Sequence, residues 1–451
     1  MTATPVKSFD LEALLRSLAN IEVITDAHQV AKLSQDYHTF SPVLVKKLQG
    51  KVGDLVVRPA NEAEVLQVAQ ACVQHRVPVT IRGAGTGNYG QCVPLHGGVI
   101  IDMTKMHSIL WVKPGVARVQ AGVKLGALDK QAQSIGWEMR MTPSTYRTAT
   151  IGGFIAGGSG GIGSVEYGLL KDRGNLLGLK VVTMEDEPRT IELRGHSVEK
   201  VNHAWGINGI ITEIEIPLGT AYPWAELIVT FDDFMATVRF GQALALADGM
   251  IKKEIGVFAS PIAEYFTALQ QYIPGGAHAA LLIIAEPSLE LLPGLLQEYG
   301  GKIVYEKLAV DAGKGLHLAE FTWNHTTLHA RNADPSITYL QSIFPNDNLQ
   351  TIEHMYHHFG DEVMMHLEFI RANGAVANPG LQLVRYTTEE RLHEIISYHE
   401  QRGVFIANPH SYLIEEGWKR TIDAEHLEFK QIVDPYGLMN PGKSKLLSLG
   451  K

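Results

Sequence analysis

The chain has 451 residues, 45% of them apolar and 19% charged, with 44 glycines; this supports two or three packed domains and excludes a collagen-like repeat, a disordered chain and a lone mini-domain. Lys and Arg number 39 against 48 Asp and Glu, a net charge of −9, so no surplus of cations is present for a run of phosphates and no nucleic-acid partner is expected. Cys72 and Cys92 are the two cysteines; they permit one disulfide at most, exclude a four-cysteine zinc site or cysteine-ligated iron-sulfur cluster, and fit a reducing compartment.

Asp10 and Glu12 interrupt the first residues before an apolar core of signal-peptide length, and no run of about eighteen uncharged apolar residues follows. A cytoplasmic protein without a transmembrane segment is expected. Leu11 to Leu18 and Ala27 to Leu33 carry apolar residues at helical spacing and predict two short surface helices. Leu55 to Arg58 reads as a strand, Asn61 caps a helix with Glu64 three residues on, and Val77 to Arg82 returns as a second strand, a βαβ unit. Val99 to Asp102, Val116 to Val119 and Leu179 to Thr183 read as further strands, and Leu125 to Ile135 as a helix. Up to Leu218 this predicts one α+β domain.

From Ala225 the pattern becomes strand (Leu227 to Thr230), helix (Phe234 to Ala247), strand (Glu254 to Phe258), helix (Ile262 to Tyr272) and strand (Ala280 to Ala285). Leu381 to Tyr386 then leads into Thr388 and Glu390, a capping box for a helix through Arg402, and Val404 to Ala407 follows. A second α/β domain is expected here. The remainder holds a helix over Asp423 to Ile432 and a coil from Asp434 to Lys445, too poor in apolar residues for a domain of its own, which is expected to pack back on the first domain.

Eighteen of the 44 glycines fall between Gly83 and Gly168, a density well above the ordinary share of about 7%. Such density means backbone at positive φ or backbone pressed against something else, often a ligand phosphate or ring; tight turns between short strands are the alternative. Three nucleotide motifs match by letter and fail by context. Gly437 to Ser444 satisfies the P-loop pattern, but seven residues follow it and Pro441 has no amide hydrogen to offer a phosphate. Gly85 to Gly90 reads GxGxxG after a strand, yet Pro94 and the Gly97-Gly98 pair lead to another strand rather than a helix. Gly158 to Gly163 matches too, without a convincing strand before it.

Taken together, Val79 to Gln91 (VTIRGAGTGNYGQ), Val119 to Val123 (VQAGV), Pro143-Ser144, Ala149 to Gly153 (ATIGG), Gly157 to Gly168, Gly206 to Thr212 (GINGIIT) and Asp434 to Lys443 (DPYGLMNPGK) resemble the vanillyl-alcohol oxidase / p-cresol methylhydroxylase (PCMH) flavoprotein family. The resemblance runs the length of the chain and is similar to the FAD-linked oxidase branch with glycolate and D-lactate dehydrogenases. It implies an α+β fold: a PCMH-type FAD-binding domain of two subdomains at 1–222, an α/β cap (substrate) domain with a mainly antiparallel sheet at 223–407, and a C-terminal segment at 408–451 that returns to the FAD domain.

The implied FAD site comprises Arg82, Gly83, Ala84, Gly85, Thr86, Gly87, Asn88, Tyr89, Gly90 and Gln91, then Pro143, Ser144, Thr150, Ile151, Gly152, Gly153, Gly157 and Gly160, then Gly206, Gly209, Ile210, Ile211 and Asn440. The first loop would offer amide hydrogens to the pyrophosphate, and any side chain there would hold the phosphates off the backbone. Thr86 and Asn88 would add neutral donors, and Arg82 would offset phosphate charge, although an arginine at a strand end is often structural. Thr150 would be a polar contact of the ring and Gly152-Gly153 would let backbone approach it. Relatives that tether FAD use a histidine in the first loop or a cysteine before the TIGG-like segment; Thr86 and Thr148-Ala149-Thr150 stand there, so non-covalent FAD is expected. Cys92 reads as a small buried hydrophobe.

Oxidation of a substrate carbon needs a base for the hydroxyl proton and a pocket closed to water. Phe321 to His329 (FTWNHTTLH), with Thr338, Tyr339 and Gln341 after it, gathers aromatic, amide and imidazole groups and suits a pocket wall. His325 is a candidate base and Tyr339 a further catalytic candidate. His410 falls where hydroxy-acid dehydrogenases of the family carry a histidine after a glutamate, here replaced by Pro409. Those relatives also hold a divalent metal between two histidines flanking Gly-Asp-Gly-Asn. His358 to His366 (HFGDEVMMH) is one residue too long and lacks the second glycine and the asparagine, so no metal is assigned and His354, His357 and His358 read as solvated helix residues.

The expected function is that of an FAD-dependent oxidoreductase which removes a hydride from an alcohol-type carbon of a small hydroxy acid or sugar-derived substrate and passes electrons to an acceptor protein or quinone. A catalytically silent flavin-binding or regulatory subunit of a redox complex is the rival reading, and a colourless nicotinamide-dependent dehydrogenase a third. Oligomeric state is not legible in the sequence.

Overall fold

The computed structural model describes residues 9–345, 349–417 and 424–446; the first eight residues and Asp423, where the last helix was expected to begin, lie outside them. Strands β1 (Glu22–Ile24), β2 (Leu55–Arg58), β3 (Val79–Arg82) and β4 (Val99–Asp102) make a sheet in the order β1-β2-β4-β3. The Glu62–Gln74 helix connects β2 to β3 and is capped by Asn61, whose side chain accepts from Glu64 N at 3.0 Å. β4 lies between the two strands of the expected βαβ unit and runs parallel to both. All four of its residues are buried, as a central parallel strand requires.

A second, antiparallel sheet follows: β5 (Ile109–Lys113), β6 (Val116–Gln120), β7 (Trp137–Met139), β8 (Gly178–Val182), β9 (Thr190–Arg194) and the long β10 (Ile210–Thr220). Its order is β5-β6-β10-β8-β9, with β7 on the far end of β10. The Leu125–Gln133 and Ile151–Gly157 helices bury Leu128, Ile151, Phe154 and Ile155 against it.

The cap is built on β11 (Trp224–Phe231), β12 (Lys252–Phe258), β13 (His278–Ala285), β14 (Lys302–Lys307), β15 (Ile337–Tyr339), β16 (Gln341–Phe344), β17 (Val363–Met364), β18 (His366–Glu368), β19 (Ile370–Ala372), β20 (Ala375–Gly380), β21 (Leu383–Arg385) and β22 (Phe405–Ala407). Its large sheet runs β14-β11-β13-β12-β18-β20-β16-β22, with β19 on β20, and β15-β21-β17 form a smaller one. Every pairing in both is antiparallel. Alternation along the strands splits the core into two faces. Leu227, Val229, Ile255 and Val257 meet the Phe234–Leu246, Leu349–Phe359 and Glu389–Glu400 helices, while Ile228, Phe258 and Leu281 meet the Asn324–Ala333 helix. The helix expected over Ile262 to Tyr272 is a 3-10 turn at Ile262–Tyr265 followed by further turns. Phe266, Leu269 and Ile273 are still buried, so the apolar spacing is satisfied without a continuous helix.

Two contacts join the parts. Glu138 on β7 accepts from Trp224 Nε1 at 2.9 Å and pairs with Lys253 at 3.0 Å across the junction with the cap. Near the end of the chain, Val79 N donates to Leu438 O and Asn440 N to Val79 O, at 2.8 and 2.7 Å. Residues 438–440 thus extend the first sheet beyond β3.

Candidate functional site: a glycine-lined cleft under the cap

β3 ends at Arg82 and the chain enters the loop 83–91 along one wall of a deep cleft. Arg82 folds back under that loop. Its Nη1 donates to Leu33 O at 3.0 Å and Gln35 O at 2.5 Å, and its Nη2 to Ala84 O at 3.3 Å. Gly85 has φ +70° and a Cβ there would stand 2.1 Å from Arg82 Nη2, so this glycine is required both by its backbone and by its neighbour. A Cβ on Gly83 would meet Thr150 Oγ1 at 2.1 Å, and one on Gly87 would meet Gln91 Oε1 at 2.4 Å. Gln91 Oε1 already accepts from Tyr89 N at 3.0 Å. Among the described residues no acceptor takes the amide hydrogens of Gly85 to Asn88, which leaves them for a ligand.

Thr150 caps the Ile151–Gly157 helix on the opposite wall, its Oγ1 accepting from Gly153 N at 3.3 Å. Gly152 N donates to Ala121 O, and a Cβ on Gly152 would stand 2.8 Å from both the Cβ and the O of Ala121. The third wall is the turn from His203 to Gly209, where His203, Trp205, Gly206 and Gly209 all have positive φ. Trp205 Nε1 is a buried donor with no partner there. This cradle, with its unused amides and orphaned indole N–H, fits a flat, phosphate-bearing cofactor.

Most of the expected cofactor residues line the cleft, but Gly90, Ile151, Ile210 and Asn440 do not. Ile151 and Ile210 are core residues of the two sheets. Asn440 is a strut, with Nδ2 donating to Gln91 O at 2.8 Å and to Trp205 O at 2.7 Å, and so ties the first wall to the third. Asp36, Tyr37, Phe40, His203 and Trp205 also line the cleft, and the sequence did not single them out. The adjacency of Trp205 to Gly206 was the one available signal.

The cap contributes Trp323, Asn324, His325, Leu328 and Gln341. Gln341 is hydrogen-bonded by the Tyr89 hydroxyl, which joins cap to loop. Trp323 has φ +53° and is held by two buried carboxylates: its N donates to Glu368 Oε1 at 2.7 Å and its Nε1 to Glu254 Oε2 at 3.2 Å. Those carboxylates come from adjacent strands, where Glu368 pairs with Gly256, two residues from Glu254. His366 Nε2 adds a 2.8 Å contact to Glu368 Oε1, and its ring stacks on Phe258. Burial pushes the Glu368 carboxyl up to about 7; burial and the charge of Glu368 raise Glu254 well above the usual carboxylate range. Burial holds His366 down to about 3 and therefore neutral. Past Trp323, His325 Nδ1 lies 3.3 Å from Glu320 Oε2, and Arg147 Nε lies 3.0 Å from Glu320 Oε1. The bond to His325 holds the Glu320 carboxyl below its ordinary value.

His410 and Tyr339 do not line the cleft. His410 Nε2 lies 3.0 Å from Tyr339 O, a carbonyl that only accepts, so Nε2 carries the proton and Nδ1 accepts from Ser41 Oγ at 2.7 Å. Burial holds the ring down to about 3. Both nitrogens are committed within the protein. His410→Ala is expected to cost about 2–4 kcal/mol of stability through two lost hydrogen bonds and a cavity, read as a lower melting temperature, with FAD affinity unchanged. Tyr339 is buried with its hydroxyl unpartnered. His358 stacks on Tyr398 at 4.1 Å, whereas His366 contacts Glu368 and His410 contacts Ser41. Among the described residues no group of three or more His, Cys, Asp or Glu is placed to hold a metal.

A glycine cradle on an α+β body beneath an antiparallel sheet has the PCMH-type FAD-binding fold. Residues 53–191 match the FAD binding domain family, and the cofactor is FAD. It is 30% identical over 205 residues to glycolate oxidase subunit GlcD of Escherichia coli, an alignment covering 44% of this chain and 41% of that one. It is 31% identical over 175 residues to D-lactate dehydrogenase of Anaerostipes hadrus, 36% of each chain. These alignments span less than half the length of the relatives. The fold is similar to that of alkyldihydroxyacetonephosphate synthase, with a TM-score of 0.75 at 18% identity over 98% of this chain and 86% of that one. A BBE-like protein of Physcomitrella patens gives a TM-score of 0.68 at 15% identity, over 95% and 98%. No helix among the described residues is long and apolar enough to cross a membrane.

Proposed function

We propose that this protein is an FAD-dependent oxidoreductase that removes a hydride from an alcohol-type carbon of a small hydroxy acid or sugar-derived substrate and passes the electrons to an acceptor protein or quinone. The observation that carries the reading is His325, on the cap wall of the glycine cradle, with Nδ1 held by Glu320. That bond orients the ring and leaves Nε2 as its proton acceptor for a substrate hydroxyl. Bound FAD supplies a two-electron acceptor. Trp323, Phe40 and Leu328 exclude water from the reacting carbon, and Asn324 and Gln341 offer amides to further substrate oxygens. His410 and Tyr339, expected as catalytic, are read as packing behind this wall. FAD is held without a covalent bond: Thr86 and Thr148-Ala149-Thr150 stand at the tether positions, and burial pushes the nearby Cys92 thiol up to about 12, where it is inert.

Anaerobic titration of the holoprotein with glycolate, D-lactate and sugar alcohols tests the reading. Bleaching of the flavin band by one of them is the expected result. His325→Gln is expected to slow that bleaching about 10²- to 10⁴-fold at unchanged FAD content. Flavin that dithionite reduces but no alcohol bleaches would instead identify a silent flavin-binding subunit.

A further inference from the structure

Lys443 is fully buried and does not line the cleft. Its Nζ donates to Gly90 O at 2.6 Å, at the far end of the loop whose amides face the cleft, and stands 5.6 Å from the Tyr412 ring. Arg82, the other cation under this loop, has Nη1 within 3.5 Å of Cys92 Sγ. A buried carboxylate in the same region is Asp36, which lies 2.9 Å from His38 Nδ1 and 3.9 Å from Cys92 Sγ. The Cys92 thiol stays neutral. Two buried cations against one buried anion leave positive charge under the loop. Burial lowers the Lys443 ammonium to about 8, Asp36 opposing that shift. A buried cation with so little compensation is costly in the protein alone, and a doubly negative group on the loop would offset that cost.

We propose that Lys443, behind the loop, adds to Arg82 on the cleft wall a buried positive charge that selects the pyrophosphate of FAD, Lys443 acting through the loop rather than by direct contact. The proposal rests on FAD being the cofactor and assigns to the C-terminal return an electrostatic role. The carbonyl of Gly90 is drawn toward Lys443, and the amides of Gly85 to Asn88 remain for the phosphates. A positive charge near the phosphates in a partly dry interior is expected to be worth about 10- to 100-fold in affinity.

The test is titration of the full-length apoprotein with FAD and with riboflavin, which lacks the phosphates, followed by flavin fluorescence. Lys443→Met is expected to weaken FAD about 10- to 100-fold and leave riboflavin unchanged, with Lys443→Arg retaining FAD binding. Asp36→Asn removes the opposing anion and is expected to tighten FAD several-fold, a gain that misfolding cannot produce. Equal losses of FAD and riboflavin in Lys443→Met, or Asp36→Asn binding FAD no better than the parent, would overturn the proposal. A parent protein that binds neither ligand would overturn the FAD reading itself.

Discussion

Gly85→Val is expected to yield a folded protein that no longer retains FAD. The new Cβ would stand 2.1–2.5 Å from three atoms of the Arg82 guanidinium at a backbone φ of +70°. Left-handed backbone costs an L-residue roughly 1–2 kcal/mol, and a β-branched one more. The steric conflict is worse, since Arg82 can yield only by leaving the carbonyls of Leu33 and Gln35 that it ties together. The loop would then lift, and the amides of Gly85 to Asn88 would lose their common direction. FAD affinity is expected to fall by about a thousandfold, about 4 kcal/mol, measured by absorbance of the purified protein and by fluorescence titration. Gly50→Val separates the two causes: its φ is +73° with nothing within 4 Å, so it carries the strain without the collision and is expected to stay yellow. A yellow Gly85→Val of parental affinity would refute the role given to the loop.

Glu368→Gln is expected to flatten the dependence of stability on pH. A carboxyl whose folded value is about 7 against an ordinary 4.5 takes up a proton on folding. Its contribution is therefore fully present below about 4.5 and is lost as pH rises through about 7. Glutamine keeps an acceptor for Trp323 N and stays neutral, so the difference in stability, variant minus parent, should grow in the variant's favour between about pH 5 and pH 8, by an amount on the order of 2–3 kcal/mol. His366 has the opposite sign: held at about 3 against 6.5, its contribution is present above 6.5 and falls away toward 3 in both proteins. Glu368→Ala leaves Trp323 N and His366 Nε2 without their acceptor and is expected to cost about 3–5 kcal/mol at either pH. Thermal melts of the holoprotein at the two pH values decide the matter, and parallel curves for Glu368→Gln and the parent would show that Glu368 is ionised in the fold.

The difference between what was legible and what was not follows from the range of each interaction. The glycines of the first loop and Gly152-Gly153 announce close approach through their own composition, and capping by Asn61 and Thr388 is written within three residues. β6, β8, β11, β12 and β13, of five to eight residues, were also read as strands, whereas β5, β9, β14 and the eleven-residue β10 were not. Of the later strands, β21 and β22 were read, while β15 to β19 are two to four residues long, too short for a period of two to register. β4 was read as a strand, but its place between β2 and β3 depends on pairing that no local pattern encodes. The positive φ of His203 and Trp205 belongs to residue types that rarely adopt it. Glu254 and Glu368 meet only because β12 and β18 are neighbours, and nothing near either residue signals a buried carboxyl. The string around His325 was visible because its chemistry is concentrated in one segment, whereas the commitment of both His410 nitrogens depends on Ser41 and Tyr339, distant along the chain.

The pairing of residues 438–440 with β3 also orders events during synthesis. Until that segment leaves the ribosome, the first sheet has an open edge, Gln91 and Trp205 lack the Asn440 that joins them, and Gly90 lacks Lys443. A chain stopped before Asp434 would present most of the glycine cradle yet hold it loosely. Stable capture of the cofactor is thereby deferred until residues 434–443 have been made.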